Sequence, residues 1–100
     1  MQSITPQQGS VSYEQILSRQ AAGQMLTPPI SERQVRRYLG ILMLFSESFK
    51  DFENSQTGGL NEKQKITNWH LPELQKIRDL VLQLKTLTKV RIYLLQETGK

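Results

Sequence analysis

The sequence contains no cysteine and a single histidine, His70, and these shortages exclude several kinds of site. Without cysteine the chain can form neither a disulfide framework nor thiolate ligands for a metal. One imidazole cannot build a multi-histidine metal site, and neither a phosphate-binding glycine motif nor a catalytic set of side chains accompanies it. We therefore expect a protein that is not an enzyme and that uses no cofactor, no metal and no small-molecule substrate.

Long apolar runs are also missing. The longest, Ile41–Phe45, is far shorter than the roughly 20 apolar residues that a membrane-spanning helix needs. The N-terminal region has no charged start followed by an apolar stretch, so it shows no secretory signal pattern. The sequence predicts a cytoplasmic protein without a membrane partner.

A chain of 100 residues is long enough for one domain. Residues 1–10 carry no charged side chain and few apolar ones, and they predict a disordered tail before a single domain over residues 11–100. Lysine and arginine outnumber aspartate and glutamate by 13 to 9, which gives a net charge of +4. This excess permits nucleic acid or an acidic protein as a partner without requiring either.

Two helices are predicted in the first half of the domain. The first spans residues 12–26, with Ser12 as its N-cap, and it ends at Pro28-Pro29 because proline lacks the amide donor that a helix needs. The second follows the N-cap Ser31, whose capping-box partner comes three residues later, and it covers residues 32–45. The apolar spacing of this second helix predicts a core face of Val35, Tyr38, Leu39 and Leu42.

The second half predicts helices and one short extended segment. Residues 54–59 have the composition of a loop, and residues 64–69 alternate weakly, as a short strand or an extended segment does. A helix begins near Pro72, and a second start signal at Thr88 indicates either a short final helix or a continuation of the previous one. The whole pattern predicts an all-α domain of about four helices, with room for a minimal β wing.

An apolar seam runs along the helix after Pro72. Its members have the 3-4-3 spacing of a heptad and are Leu74, Ile77, Val81 and Leu84. Because a small domain gains stability from pairing, we expect a homodimer through this seam, or through the final-helix residues Ile92, Leu94 and Leu95. The alternative is that all these side chains fill the core of the monomer.

The helix after Ser31 also has a polar face. Four side chains point away from its predicted core face: Arg33, Gln34, Arg36 and Arg37. Arginine can donate two hydrogen bonds to guanine, and glutamine can bond adenine with both ends of its amide. A capped helix with such groups near its N-terminus suits the major groove of DNA. The alternative is the solvated face of a structural helix.

The order of elements resembles known DNA-binding domains. Residues 18–42, with ISERQVRRYL at their centre, resemble a helix-turn-helix, although the turn is about three residues longer than the tight form. Residues 30–96 also resemble MerR-like winged helix-turn-helix domains. They contain, in order, that helix, a loop, KITNW, LPELQKIRDLVLQL and LTKVRIYLLQ. The wing arginine of that family and its glycine before the final helix are absent, and Lys65 and Thr86 stand nearest to them.

The resemblance implies duplex DNA as the partner. The four polar residues of the basic helix would read bases, and Lys63 and Lys65 of the wing would contact phosphate. The sequence thus predicts a DNA-binding protein, either a small transcriptional regulator or a plasmid or phage accessory protein. The competing hypothesis is a helical protein-interaction module, an adaptor or an inhibitor of a larger regulator, because Ile41–Phe45 and the seam are more apolar than one small core needs.

Overall fold

Helices dominate the fold. The computed structural model describes residues 14–99, so the predicted tail at residues 1–10 and the predicted cap Ser12 lie outside the described residues. The elements are, in chain order, β1 (Ile16–Leu17), α1 (Arg19–Gln24), α2 (Glu32–Phe45), a 3-10 helix (Glu47–Phe52), β2 (Ile66–Thr67), a second 3-10 helix (Asn68–His70), α3 (Leu71–Leu84) and α4 (Leu87–Gly99). The predicted mainly helical class with a minimal sheet is confirmed. Within residues 14–99, no helix is long and apolar enough to cross a membrane.

The second helix, α2, has the predicted bounds and is the central element of the core. The Ser31 side chain accepts a hydrogen bond from the Gln34 N–H at 3.3 Å, which satisfies one donor of the first turn. The helices α1, α3 and α4 and the first 3-10 helix all contact α2. Its predicted core face is buried, as expected, at Val35, Tyr38, Leu39 and Leu42.

The first helix is shorter than the sequence predicts. It begins at Arg19, and Ser18 is its N-cap, accepting a hydrogen bond from the Ala21 N–H at 3.0 Å. Residues 16–17, predicted to be helical, instead form β1 and pair in antiparallel fashion with β2. The helical prediction for these residues was wrong because their hydrogen-bonding partner is a distant segment, which local spacing does not reveal.

The segment that connects α1 to α2 lies very close to the α1 backbone at Gly23. The Ile30 N–H donates to the Gly23 carbonyl at 3.0 Å. A Cβ added at Gly23 would clash with the Ile30 carbonyl oxygen and would lie 2.9 Å from Val35 Cγ2. Only a residue without a side chain fits here unstrained, so Gly23 sets the distance between α1 and the start of α2.

Two side chains of α3 hold the turn between α1 and α2. The Gln75 amide accepts a hydrogen bond from the Thr27 N–H at 2.9 Å and donates one to the Thr27 carbonyl at 2.8 Å. Arg78 Nε donates to the Pro28 carbonyl at 2.9 Å. The Thr27–Pro28 peptide bond is cis. The turn is longer than in a tight helix-turn-helix, and its course is held by these contacts with α3.

The apolar seam of α3 faces the interior of the chain. Leu74 is 0% exposed and Ile77 is 1% exposed, while Val81 and Leu84 pack half-buried against the same core. The assignment of Leu74 and Ile77 to a dimer interface was therefore wrong. Because α3 packs against α2 and α4, these two side chains have no surface left for a partner.

The last two helices are separate. Lys85 ends α3 in the left-handed region, with φ 82°, and the Thr86 hydroxyl then accepts a hydrogen bond from the Lys89 N–H at 3.1 Å. Of the two alternatives for this region, the short final helix is the correct one. Its capping residue is Thr86 rather than the predicted Thr88.

His70 joins β2 to the start of α3. Its Nδ1 accepts a hydrogen bond from the Thr67 N–H at 3.0 Å, and the Thr67 hydroxyl accepts one from the Trp69 N–H at 3.3 Å. The imidazole also packs against the rings of Phe49 and Phe52, with centroid distances of 4.8 and 5.1 Å. His70 is thus a structural residue that connects the sheet, the first 3-10 helix and α3.

Two glycines should respond oppositely to alanine. Gly23→Ala should lower the free energy of unfolding by about 1–3 kcal/mol, because the added methyl group meets the Ile30 carbonyl. Gly40→Ala in α2 should raise it by about 0.5–1 kcal/mol, because no atom lies within 4 Å of the added Cβ and alanine is the better helix former. Urea unfolding of both variants measures these changes. Equal effects at the two positions would contradict the close approach at Gly23.

Stability should decrease when His70 becomes protonated. Burial lowers the pKa of His70 below its ordinary value of 6.5, against the opposing effect of the Glu14 and Glu73 carboxylates. The unfolded chain therefore binds the proton more readily than the folded chain. The free energy of unfolding should be highest above about pH 6.5 and should fall as the pH is lowered through the folded-state pKa. Urea unfolding at about pH 7.5 and about pH 5.5 measures this, since most carboxylates stay ionised there.

His70→Asn is the matched control for this pH dependence. Its amide oxygen can accept the hydrogen bond from the Thr67 N–H, but the amide does not titrate. The variant should lose little stability between the two pH values. A decrease as large as that of the wild type would show that another group is responsible.

Candidate nucleic-acid interface

The outer face of α2 carries the arginines that the sequence singles out. Val35 and Tyr38 face the core, so helical geometry places Arg33, Arg36 and Arg37 on the opposite side of α2. Arg33, Arg36 and Arg37 are exposed there. This placement agrees with the prediction for these three side chains.

Gln34 does not share this exposure. Its side chain is half-buried, and its Oε1 is enclosed without a hydrogen-bond partner among the described residues. Reading adenine requires both the oxygen and the nitrogen of the amide. Because the amide oxygen is enclosed by the protein, Gln34 is not placed to read adenine, contrary to the prediction.

Two carboxylates hold Arg36. Its Nη2 lies 3.8 Å from Glu32 Oε2, one turn earlier in α2, and 3.5 Å from Glu62 Oε1 in the loop before β2. The same Glu62 oxygen lies 4.0 Å from Arg19 Nε. The side chains of Arg36 and both glutamates are about half exposed, so these ion pairs are weak and can give way to another anion.

Arg19 anchors the loop before β2, although it is not among the site residues predicted from the sequence. Its Nη2 donates to the carbonyls of Asn61 and Gln64 at 3.4 and 3.5 Å. Its side chain is mostly buried, and it positions Glu62 beside Arg36. The partners of Arg19 lie 42 and 45 residues later in the chain, so no local pattern around it indicates this role.

The two lysines of the predicted wing differ in position. Lys65 lines an open cavity of about 490 Å³ between β1 and α2, together with Arg36, Glu32 and Glu62. Lys63 does not line this cavity but is exposed in the adjacent turn, where its N–H donates to Asn61 Oδ1 at 3.1 Å. The structure therefore brings Lys65 beside the basic helix and leaves Lys63 at the edge of the loop.

Arg33 and Arg37 are the unpaired arginines of α2. Neither forms an ion pair with any residue in the described part of the chain. They lie four positions apart and are therefore neighbours on one face of the helix. Each guanidinium presents a planar set of donors that matches the edge of guanine or the oxygens of a phosphate.

Residues 14–99 contain no group of three or more side chains suited to hold a metal ion. No protein-family model, curated protein or solved structure matches the chain. Arg33, Arg36 and Arg37 are the exposed basic side chains on the outer face of α2.

Leu74 and Ile77 of the α3 seam are buried, so a homodimer would need other apolar side chains, among them the half-buried Val81 and Leu84. In α4, Ile92 and Leu95 are about half exposed, whereas Leu94 packs against the core. Of the predicted interface residues in α4, Ile92 and Leu95 therefore remain accessible to a second copy of the chain.

Proposed function

We propose that the protein binds duplex DNA as a helix-turn-helix module, with α2 as the recognition helix. The observation that carries the proposal is the pair Arg33 and Arg37, which are exposed, unpaired and adjacent near the capped start of α2. A helix presenting such donors near its N-terminus fits the major groove. In this proposal the chain is a small transcriptional regulator or a plasmid or phage accessory protein.

The remaining basic residues have supporting roles in this proposal. Lys63 and Lys65 contact phosphates and thereby set the register of α2 on the duplex. Arg36 must exchange the carboxylates of Glu32 and Glu62 for a nucleic-acid oxygen, so its net contribution is smaller than that of Arg33 or Arg37.

The resemblance to MerR-like winged helix-turn-helix domains supports the same binding mode. In this proposal β2, which Lys65 directly precedes, takes the place of the wing, and its partner β1 comes from the segment before α1. The family has a glycine before its final helix. In this chain the residue in the left-handed region at that junction is Lys85, one position before Thr86.

Removing either unpaired arginine should weaken DNA binding without unfolding the chain. Arg33→Ala and Arg37→Ala should each cost about 1–3 kcal/mol of binding free energy at a specific site. Stability should change by less than about 0.5 kcal/mol, because both side chains are exposed and unpaired. Fluorescence anisotropy with labelled duplexes at low and moderate salt measures the affinity, and affinity should fall steeply with salt.

Lys50→Ala is the charge-matched control for these variants. Lys50 lies in the first 3-10 helix, outside the proposed surface, and pairs with Glu47. It should bind DNA nearly as the wild type does. If Arg33→Ala, Arg37→Ala and Lys50→Ala bind equally well, α2 is not the recognition helix. If the wild type does not bind duplex DNA at low salt, the proposal fails as a whole.

Removing the charge of Glu62 should strengthen DNA binding. Glu62→Gln releases Arg36 and removes a negative charge from the proposed interface. Affinity for duplex DNA should rise by about 0.5–1 kcal/mol, the scale of an exposed ion pair. Glu97→Gln, which makes the same charge change near the end of α4, should have a smaller effect. An equal gain in both variants would show that only net charge matters.

A further inference from the structure

A second surface of α2 faces α4. The C-terminal half of α2 and the first turns of α4 enclose an open groove of about 360 Å³. We define this α2–α4 groove by the residues that line it, which are Arg37, Gly40, Ile41, Leu44, Leu87, Thr88 and Arg91.

The groove exposes apolar surface. Leu44 is 54% exposed, although the two residues before it in α2 are buried. Leu95 is 55% exposed and lies one turn beyond Arg91 along α4, so it extends the apolar surface away from the groove. Gly40 contributes no side chain, and nothing lies within 4 Å of the place where its Cβ would be. The groove therefore has room for a side chain of a partner.

Each helix contributes one arginine to the groove. Arg37 of α2 and Arg91 of α4 are both exposed, and neither has an ion-pair partner within residues 14–99. No carboxylate lines the groove. A partner with carboxylates at both positions would form two charge-assisted contacts with guanidinium groups.

We infer that the α2–α4 groove binds an acidic, amphipathic segment of another protein. A large apolar side chain of that segment covers Leu44 and the space above Gly40. Carboxylates on either side of it meet Arg37 and Arg91. This would be a protein-binding function in addition to the proposed DNA binding, and it does not rest on that function.

Two other occupants fit the groove less well. A phosphate backbone satisfies the arginines but places charge against Leu44. A second copy of this chain offers Glu47 and Asp51 on the first 3-10 helix, but the phenylalanines of that helix are buried and supply no apolar side chain. Charge and apolar surface together favour a protein segment that carries both.

A peptide selection tests the inference directly. A displayed library of random short peptides is selected on the full 100-residue chain and counter-selected on Leu44→Asp. The recovered peptides should carry aspartate or glutamate on both sides of a leucine, phenylalanine or tryptophan. By anisotropy they should bind Leu44→Asp and Arg91→Glu at least about tenfold more weakly than the wild type.

Leu82→Asp is the matched control. Leu82 is 45% exposed on α3 and does not line the groove, so this variant makes the same chemical change elsewhere. It should bind the selected peptides as the wild type does. Circular dichroism of all three variants checks that they remain folded, and Leu44→Ser replaces Leu44→Asp if that variant unfolds.

Three results would overturn the inference. The first is recovery of basic or uncharged peptides, or of peptides that bind every variant equally well. The second is a loss of duplex DNA affinity in Leu44→Ser and Arg91→Gln as large as in Arg33→Ala, which would assign the groove to DNA. The third is a wild-type dimer, seen by light scattering, that Leu44→Asp makes monomeric.

Because Arg33 lies outside the groove, Arg33→Ala should leave peptide binding unchanged, so failures of the two proposals are distinguishable.

Discussion

The close contact at Gly23 is the constraint on which the rest of the structure depends. The backbone of α1 meets the Ile30 backbone there, and Val35 of α2 packs beside it. This contact sets where α2 begins relative to α1, and the α3 side chains Gln75 and Arg78 hold the turn between them. Every side chain on the outer face of α2 is oriented by this frame. A site built on one helix face requires neighbouring elements that hold the helix in place, as these contacts do.

The small sheet has an electrostatic consequence as well as a structural one. Pairing of β1 with β2 brings the loop before β2 against α1, where Arg19 binds its carbonyl groups. Glu62 of that loop then lies between Arg19 and Arg36. One arginine of α2 is therefore partly neutralised in the free protein, and the positive charge of the helix is concentrated on Arg33 and Arg37.

The two ends of α2 differ in chemistry because different elements pack beside them. Its N-terminal half lies near the sheet and presents mainly charged groups, which suit the proposed contact with DNA. Its C-terminal half lies against α4, and there Leu44 remains exposed within a groove. Arg37 lies between the two surfaces. An acidic partner in the groove and a DNA duplex would therefore compete for this residue, which would couple the two proposed functions.

The sequence by itself determined the elements whose signals are local: the bounds and core face of α2, the loop at residues 54–59, the extended segment around β2 and the mainly helical class. Caps and helical periodicity act within a few residues, so they can be recognised in one stretch of chain. Only the tertiary structure decided that residues 16–17 form a strand, that Leu74 and Ile77 face inward, and that the Gln34 amide oxygen is enclosed. Each of these outcomes depends on contacts between residues far apart in the sequence, and the free energy of such contacts is not contained in any local pattern.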